Sequence, residues 1–483
     1  MDDIAHLPAH RLAGKIRSRE IGCLELLDHH LRRVERFNPA LNAIIWMDAE
    51  AARARARAAD AALARGEPWG PLHGLPMTIK ESFDLTGAPT TWGIPAMRGN
   101  IATRNAVATQ RLIDAGAVIF GKTNVPLLLA DWQSFNEIYG TTNNPWDLSR
   151  TPGGSSGGSS AALAAGLSAL ELGSDIGASI RNPAHYCGVT GHKPTWGIVP
   201  LRGQSVAGSL AVPDISVAGP LARAAEDLTM ALSVIAGADE LDAAGWKLFL
   251  PRPRSTRLAD YRIALLLEDP NSAVEAEYAE RLAELGRRLA KAGAKVSLGA
   301  RPAIDTHAAH ALYIKLLRSV TGSRTAPEVF ADWQRKAAGL ALSDDSYKAR
   351  VARAMILLHR DWLAAHEERE KLRWAWHEFF RDWDVLLTPA AAGPAWPHDH
   401  KGDRLDRVIT VNGKAEDTNN QLFWAGISGV FLLPSTVTPV GLSRAGLPMG
   451  VQVIGDNLQD LTTIEVARLI AAEVGGFVPP PGY

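Results

Sequence analysis

Residues 153–166 read GGSSGGSSAALAAG, fourteen consecutive positions with nothing larger than a single leucine. This run constrains the fold more than any other part of the chain. Its glycines permit backbone dihedrals closed to other residues. Its later part, SSAALAAG at 159–166, predicts a helix packed tightly between loops. Taken alone, GGSSGG also suits a flexible linker, so its meaning depends on the segments around it.

Those segments are strand-like. MTI before Lys80, AVIF at 117–120 and ALEL at 169–172 are short apolar runs bounded by turn formers, as buried strands are. Strands alternating with helices predict an α/β sheet with helices on its faces. N-terminal to this region, 7–36 has helical spacing at Leu24, Leu27, Leu31 and Val34, and 48–65 is an Ala-rich helix former. The arginines of 48–65 alternate with Asp and Glu, which predicts a solvated helix face. From about 270 to 385 the pattern is helical. SAVEAEYAERLAELGRRLAKAG is amphipathic, and 346–383 is long, charged and rich in tryptophan (Trp362, Trp374, Trp376, Trp383). DVLLTP, FLLPSTVTP and MGVQVIG predict a return to strands over 384–456, and 460–473 predicts a closing helix. With no internal repeat and no low-complexity linker, 1–483 is expected to form one domain: a core at about 70–225, a helical segment at about 270–385 that could form a lid, and a return to the sheet at 384–483.

Composition excludes several functions. The formal net charge is -1, so nothing favours a nucleic-acid partner. No apolar run reaches about 18 residues, so no membrane span is expected. Cys23 and Cys187 suit neither a disulfide scaffold nor a metal framework, and Cys187 is expected to be a buried small hydrophobe. The opening MDDIAHLPAH lacks the apolar stretch of a signal peptide. A reducing cytoplasm is the expected location.

Three motifs mislead. GAVIFGKT at 116–123 fits G-x-x-x-x-G-K-[ST], but Ala117, Val118, Ile119 and Phe120 look like a strand and not like a loop that cradles phosphates. GGSSGG contains G-x-S-x-G twice, centred on Ser155 and Ser156, yet the preceding NNPWDLSRTP is turn-forming where a nucleophile elbow needs a strand. The fourteen histidines form no HExxH, and His398 and His400 in PHDHK belong to a polar loop. No metal and no cofactor is expected.

Three ordered pieces remain: GLPMTIKESFD at 74–84, TPGGSSGGSS at 151–160 and LGSDIGASIRNPAHYCGVTGHKPT at 172–195. Together they resemble the amidase-signature family, whose pattern has a lysine after a short strand, then GGSSGGS, then G-T-D-x-G-G-S-I-R-x-P and G-L-K-P-T. The likeness is dense from about 70 to 225 and includes GPLARAAEDL at 219–228. It resumes at LLTP, at 419–434, and at GLPMGVQVIG followed by Asp460. The resemblance implies an α/β fold with a central twisted mixed β-sheet covered on both faces by helices. It implies Ser179 as nucleophile, Ser155 as bridging serine after a cis Gly154–Ser155 peptide, and Lys80 as base, with Ser156 positioning the lysine amine. The amides of Ile176, Gly177, Ala178 and Ser179 would form the oxyanion hole. Asp175 and Arg181 are read as a structural network beside the nucleophile. Leu129, Ala130, Asp131 and Trp132, and Phe423 and Trp424 from the C-terminal part, are expected near the acyl pocket. Lys122 and Lys193 match family positions outside the triad. Four residues depart from the pattern: Ser174 for Thr, Glu81 for Asp, His192 for Leu, and Ala178 for the second glycine.

Chemistry supports the same grouping. A serine hydroxyl needs a nearby base, and lysine serves only when neutral. Its reference pKa of about 10.4 can fall by up to about 3–5 units on burial, and Ser–Lys arrangements are a known variant of triad chemistry. The expected activity is hydrolysis of a carboxamide, anilide or carbamate through a seryl intermediate, with water as second substrate. Two alternatives stand beside it: the glutamine-hydrolysing subunit of a tRNA-dependent amidotransferase, and a binding homologue without activity. Assembly into a homo-oligomer is left open.

Overall fold

A computed structural model describes residues 4–206, 208–323 and 325–483. Eleven strands form one mixed sheet: β1 (Ile44–Met47), β2 (Pro76–Lys80), β3 (Val118–Thr123), β4 (Glu171–Asp175), β5 (Thr190–Lys193), β6 (Val217–Ala222), β7 (Arg262–Leu265), β8 (Lys295–Ser297), β9 (Val385–Pro389), β10 (Ser435–Leu442) and β11 (Pro448–Ile454). Their spatial order is β1-β3-β2-β4-β6-β5-β10-β11-β9-β7-β8. β3, β2 and β4 run parallel, as do β9, β7 and β8. Between these two blocks every pairing is antiparallel. The central strands are continuous apolar or small-residue runs buried on both faces, as expected of a sheet covered by helices; all five residues of β2 and of β4 are buried.

The helices follow from their sequences. Helix Ala49–Ala64 is capped by Asp48, whose carboxylate accepts from the Ala51 N–H at 3.0 Å. It buries Ala52, Ala56, Ala59 and Ala62, one stripe at helical spacing. Its arginines do more than face water: Arg55 donates to the carbonyls of Ile113 and Ala117 at 2.6 and 2.8 Å. Helix Ala276–Lys291 buries Tyr278, Leu282, Leu285, Gly286 and Leu289 in the same manner. The 346–383 stretch is two helices, Tyr347–Met355 and His359–Asp382, because Leu358 is extended (φ -70°, ψ 147°) and restarts the chain. In FLLPSTVTP the first four residues are not strand. Leu432 has φ 63° and turns the chain after helix Leu422–Gly429, so β10 starts at Ser435.

The small-residue run forms helix Gly157–Ala164, every residue of which is buried. The tightness of its seat explains its composition. A Cβ on Gly158 would lie 2.4 Å from the Asn124 nitrogen and 2.7 Å from the Ala43 oxygen. These are backbone atoms that cannot move aside, so the run is a packed wedge and not a linker. Among the described residues no helix is long and apolar enough to cross a membrane.

Candidate active site

Lys80 is the last residue of β2 and is fully buried. Its Nζ donates to Ser155 Oγ at 2.7 Å, Ser174 Oγ at 3.0 Å and the Ser174 carbonyl at 3.3 Å. Burial lowers the amine to about 7, against the opposing charges of Asp175 and Glu81. The hydroxyl at the position of the first departure, Ser174, is thus a direct partner of the lysine, and Gln204, which the sequence did not flag, donates to it at 3.1 Å. Ser156 does not meet the amine. Its Oγ donates to the Ser174 carbonyl at 3.3 Å, one contact removed from Lys80.

Burial brings Lys193 to about 7 and Lys122 to about 8, so pKa alone does not select a base. Geometry does. Lys193 Nζ donates to the carbonyls of Pro194 and Leu433 at 3.0 and 2.7 Å. Lys122 donates to the Pro89 carbonyl and to Thr90 Oγ1. Only Lys80, of the three, reaches a serine.

Ser155 follows a cis peptide at Gly154–Ser155. Ser179 lies in the turn after β4, 5% exposed, and its carbonyl accepts from the Ser156 N–H at 3.0 Å. Ser155 and Ser179 open onto one cavity. Among the described residues no hydrogen bond joins their hydroxyls; such contacts often tighten only when substrate is bound.

The turn is built around Asp175. Its carboxylate accepts from the N–H groups of Ala178 at 2.9 Å and Ile180 at 3.0 Å, and from Arg181 Nη2 and Nε at 2.9 and 3.0 Å. Burial would raise this carboxyl, but Arg181 and the backbone donors hold it below the usual range. Arg181 also reaches the Ala425 carbonyl, Ser428 Oγ and Gln452 Oε1 at 3.0, 2.8 and 2.6 Å, tying the turn to helix Leu422–Gly429 and to β11. The predicted oxyanion set therefore needs one correction: the Ala178 N–H is spent on Asp175. Among the described residues the N–H groups of Ile176, Gly177 and Ser179 meet no acceptor. The carbonyls of Ile176 and Gly177 are held by Tyr313 Oη at 3.1 Å and Trp132 Nε1 at 2.6 Å. Ala178 has φ 69°, a left-handed conformation that costs an L-residue about 1–2 kcal/mol.

The remaining departures have local explanations. Glu81 accepts from the N–H groups of Thr91 and Trp92, the latter at 3.0 Å. His192 is buried between Thr436 Oγ1 at 2.9 Å and Asp460 Oδ1 at 3.1 Å. Burial lowers its pKa against the pull of Asp460. Cys23 and Cys187 are free and buried. Gly121, Lys122 and Thr123 of the phosphate-loop look-alike lie within β3. His398 contacts Asn143, and His400 stacks on Phe135.

The cavity measures about 1780 Å³, above the range of about 300–1,000 Å³ usual for small-molecule sites. Leu129, Ala130, Asp131 and Trp132 line it. Phe423 and Trp424 do not. Phe423 faces a separate cavity of about 250 Å³, and Trp424 is core, its carbonyl accepting from Gln452 Nε2. Leu422 alone, of these three successive helical positions, lines the main cavity, because neighbours on a helix point about 100° apart. Trp92 and Trp196, which the sequence did not reveal, and Trp362 and Trp396 also line the cavity from distant segments. Helices Thr306–Gly322, Pro327–Ala338, Tyr347–Met355 and His359–Asp382 form much of its wall.

Known proteins are similar to this chain over most of its length. Residues 25–464 match the family model described as Amidase. The chain is 32% identical to an indoleacetamide hydrolase of Bradyrhizobium diazoefficiens, covering 96% of this chain and 86% of that protein. It is 32% identical to one of the subunits of the glutamyl-tRNA(Gln) amidotransferase of Acidothermus cellulolyticus, covering 98% and 95%. A solved structure of a vestigial protein complex that bears on the origins of an s-triazine catabolic enzyme superimposes with a TM-score of 0.81 at 28% identity, covering 98% of this chain and all of that one.

Proposed function

The chain belongs to the amidase family, and on that premise we propose that it is an amidohydrolase whose reaction is carried by Ser179, Ser155 and Lys80, acting on a carboxamide, anilide or carbamate with a largely apolar body. The observation that carries the reading is the buried Lys80 amine, lowered to about 7 and 2.7 Å from Ser155 Oγ. Neutral Lys80 takes the Ser155 proton while Ser155 takes that of Ser179, and Ser179 Oγ attacks the scissile carbonyl. The N–H groups of Ile176, Gly177 and Ser179 receive the developing oxyanion, a type of contact worth about 3–4 kcal/mol per donor. The proton then returns through Ser155 to the leaving nitrogen, and water repeats the sequence on the acyl- or carbamoyl-enzyme.

The size of the cavity and its aromatic lining support an apolar substrate. The likeness to amidotransferase subunits supports a second reading, glutamine hydrolysis within a complex. Ammonia release from glutamine by the purified chain would favour that reading, and hydrolysis of aryl or alkyl amides without glutaminase activity the first. One domain, and a cytoplasmic location with both thiols reduced, complete the proposal.

The test is labelling with a fluorophosphonate, beside a screen of amides, anilides, carbamates and esters. Ser179→Ala is expected to abolish labelling and turnover while leaving the circular dichroism spectrum unchanged. Labelling that survives in Ser179→Ala and disappears in Ser156→Ala would assign the nucleophile to the glycine-rich loop instead. No labelling of the wild type would favour the inactive binding homologue.

A further inference from the structure

One wall of the cavity carries more positive charge than its counter-charge explains. Arg318, Arg404 and Arg407 all line the cavity, with Asp131 beside them. Arg407 forms an ion pair with Asp131, and Arg318 donates to Tyr347 Oη. Both arginines are more than nine-tenths buried, and the Nε of each meets no acceptor. Arg404, in the short turn Arg404–Asp406, makes no side-chain hydrogen bond or ion pair among the described residues. Burial and the charges of Arg318 and Arg407 lower the Arg404 guanidinium, against Tyr347 and Asp131. The other carboxylates of this turn are engaged: Asp403 accepts from the Leu405 N–H at 2.9 Å, and Asp406 pairs with Lys348.

Among the described residues only Arg407 of these three guanidinium groups has an ion-pair partner; like charges repel, and buried charge is costly unless paired. A planar guanidinium with free N–H groups is also the side chain best shaped for a carboxylate. The cluster is tied to the reacting centre by covalent neighbours. Asp131 precedes Trp132, whose indole N–H holds the Gly177 carbonyl at 2.6 Å in the turn before Ser179.

We propose that Arg318, Arg404 and Arg407 form an anion subsite that receives a free carboxylate of the substrate, so that the amide cleaved is an amphipathic one with an apolar body and an acid group remote from the scissile bond. This rests on the amidohydrolase reading above and narrows its substrate class. The acid can belong to the acyl part or to the leaving amine, and the experiment distinguishes the two.

Two matched pairs are assayed with the full chain. The first is a series of mono-anilides of linear dicarboxylic acids against their methyl esters. The second is acetanilide with a para-carboxylate against its methyl ester. In one pair the acid is expected to exceed the ester by about 10- to 100-fold in kcat/KM, as a charge-assisted bidentate contact provides. Arg404→Gln should remove that preference through KM and leave the ester unchanged, because among the described residues the Arg404 side chain has no hydrogen-bond or ion-pair partner to orphan. Arg404→Lys should restore part of it. Equal or better turnover of the ester in both pairs overturns the inference while leaving the amidohydrolase reading intact. So does an Arg404→Gln variant that loses acid and ester turnover equally. If the wild type hydrolyses neither pair, titration calorimetry of Ser179→Ala with a mono-ester of the dicarboxylic acid decides. Salt-sensitive binding lost in Arg404→Gln upholds the subsite independently of the activity, and no binding overturns it.

Discussion

Replacing Lys80 with methionine is the most direct probe of the proposed chemistry, because it keeps an unbranched apolar stem in a fully buried slot and removes only the amine. The magnitude follows from the site. Burial lowers the Lys80 pKa to about 7, with Asp175 and Glu81 opposing. A base must be neutral to act, so activity rises as pH increases through that value. About half of the lysine is neutral at pH 7, about nine-tenths at pH 8, and about one part in a hundred at pH 5. Wild-type kcat/KM on an activated anilide, which reports the groups of the free enzyme, should therefore fall about 100-fold from pH 8 to pH 5. Lys80→Met should lose about 10²–10⁴-fold at pH 8 and lose the acid limb. Lys193 is the control. Burial brings it to about 7 as well, yet its Nζ meets only the carbonyls of Pro194 and Leu433. Folded Lys193→Met should retain the limb. A limb that survives in Lys80→Met, or that disappears in folded Lys193→Met, refutes the reasoning.

Two further substitutions test the turn that holds Ser179. Arg181→Met removes the partner of Asp175 together with the contacts to the Ala425 carbonyl, Ser428 and Gln452, and leaves a buried carboxylate unpaired. Urea denaturation should show a loss of about 3–5 kcal/mol, and in the folded fraction the acid limb should move to higher pH, since the uncompensated charge favours the lysine ammonium; unchanged stability would contradict the network reading. Trp132→Phe keeps the ring and loses the 2.6 Å bond to the Gly177 carbonyl. It should lower kcat up to about tenfold, the equivalent of one neutral hydrogen bond, with a smaller change in KM, whereas a change in KM alone would make Trp132 a binding surface and not a support for the turn.

The sequence was most legible where local order and chemistry coincide. Lys80, Ser155 and Ser179 lie on three motifs whose neighbours are glycines, serines and short apolar runs, and the structure brings Lys80 to Ser155 and sets both serines on one cavity. Asp175 and Arg181 were legible as a network because they flank the same turn. Ala178 was legible as a departure but not as a spent donor, since only the three-dimensional turn reveals that the Asp175 carboxylate takes its N–H. The pocket was the least legible part. Phe423 and Trp424 read as plausible lining, and helical rotation turns Phe423 toward a second cavity and Trp424 into the core. Trp92, Trp196, Trp362 and Trp396 come from widely separated segments and carry no motif, and the arginine cluster joins helix Thr306–Gly322 to a turn near 404–407. No local pattern encodes such convergence.

The sheet register supplies the reason that these parts meet at all. β2 and β4 are adjacent and parallel, with Thr78 opposite Glu171 and Ile79 opposite Leu172. Their carboxyl ends carry Lys80 and Asp175. The carboxyl end of parallel strands is where α/β sheets leave room for a ligand, and here it places the lysine amine within 3.3 Å of both the hydroxyl and the carbonyl of Ser174. A slip of one residue would turn Lys80 to the other face of the sheet and take the amine from Ser155. The small-residue helix Gly157–Ala164 lies against the same strands, and its close approach lets the 153–156 loop bring Ser155 over the strand ends. That approach also keeps the lysine dry, and dryness is the largest cause of its lowered pKa. The same compact packing therefore sets the geometry and the protonation state, while much of the cavity wall comes from helices inserted between β8 and β9, where sequence can change without disturbing the register of β2 and β4.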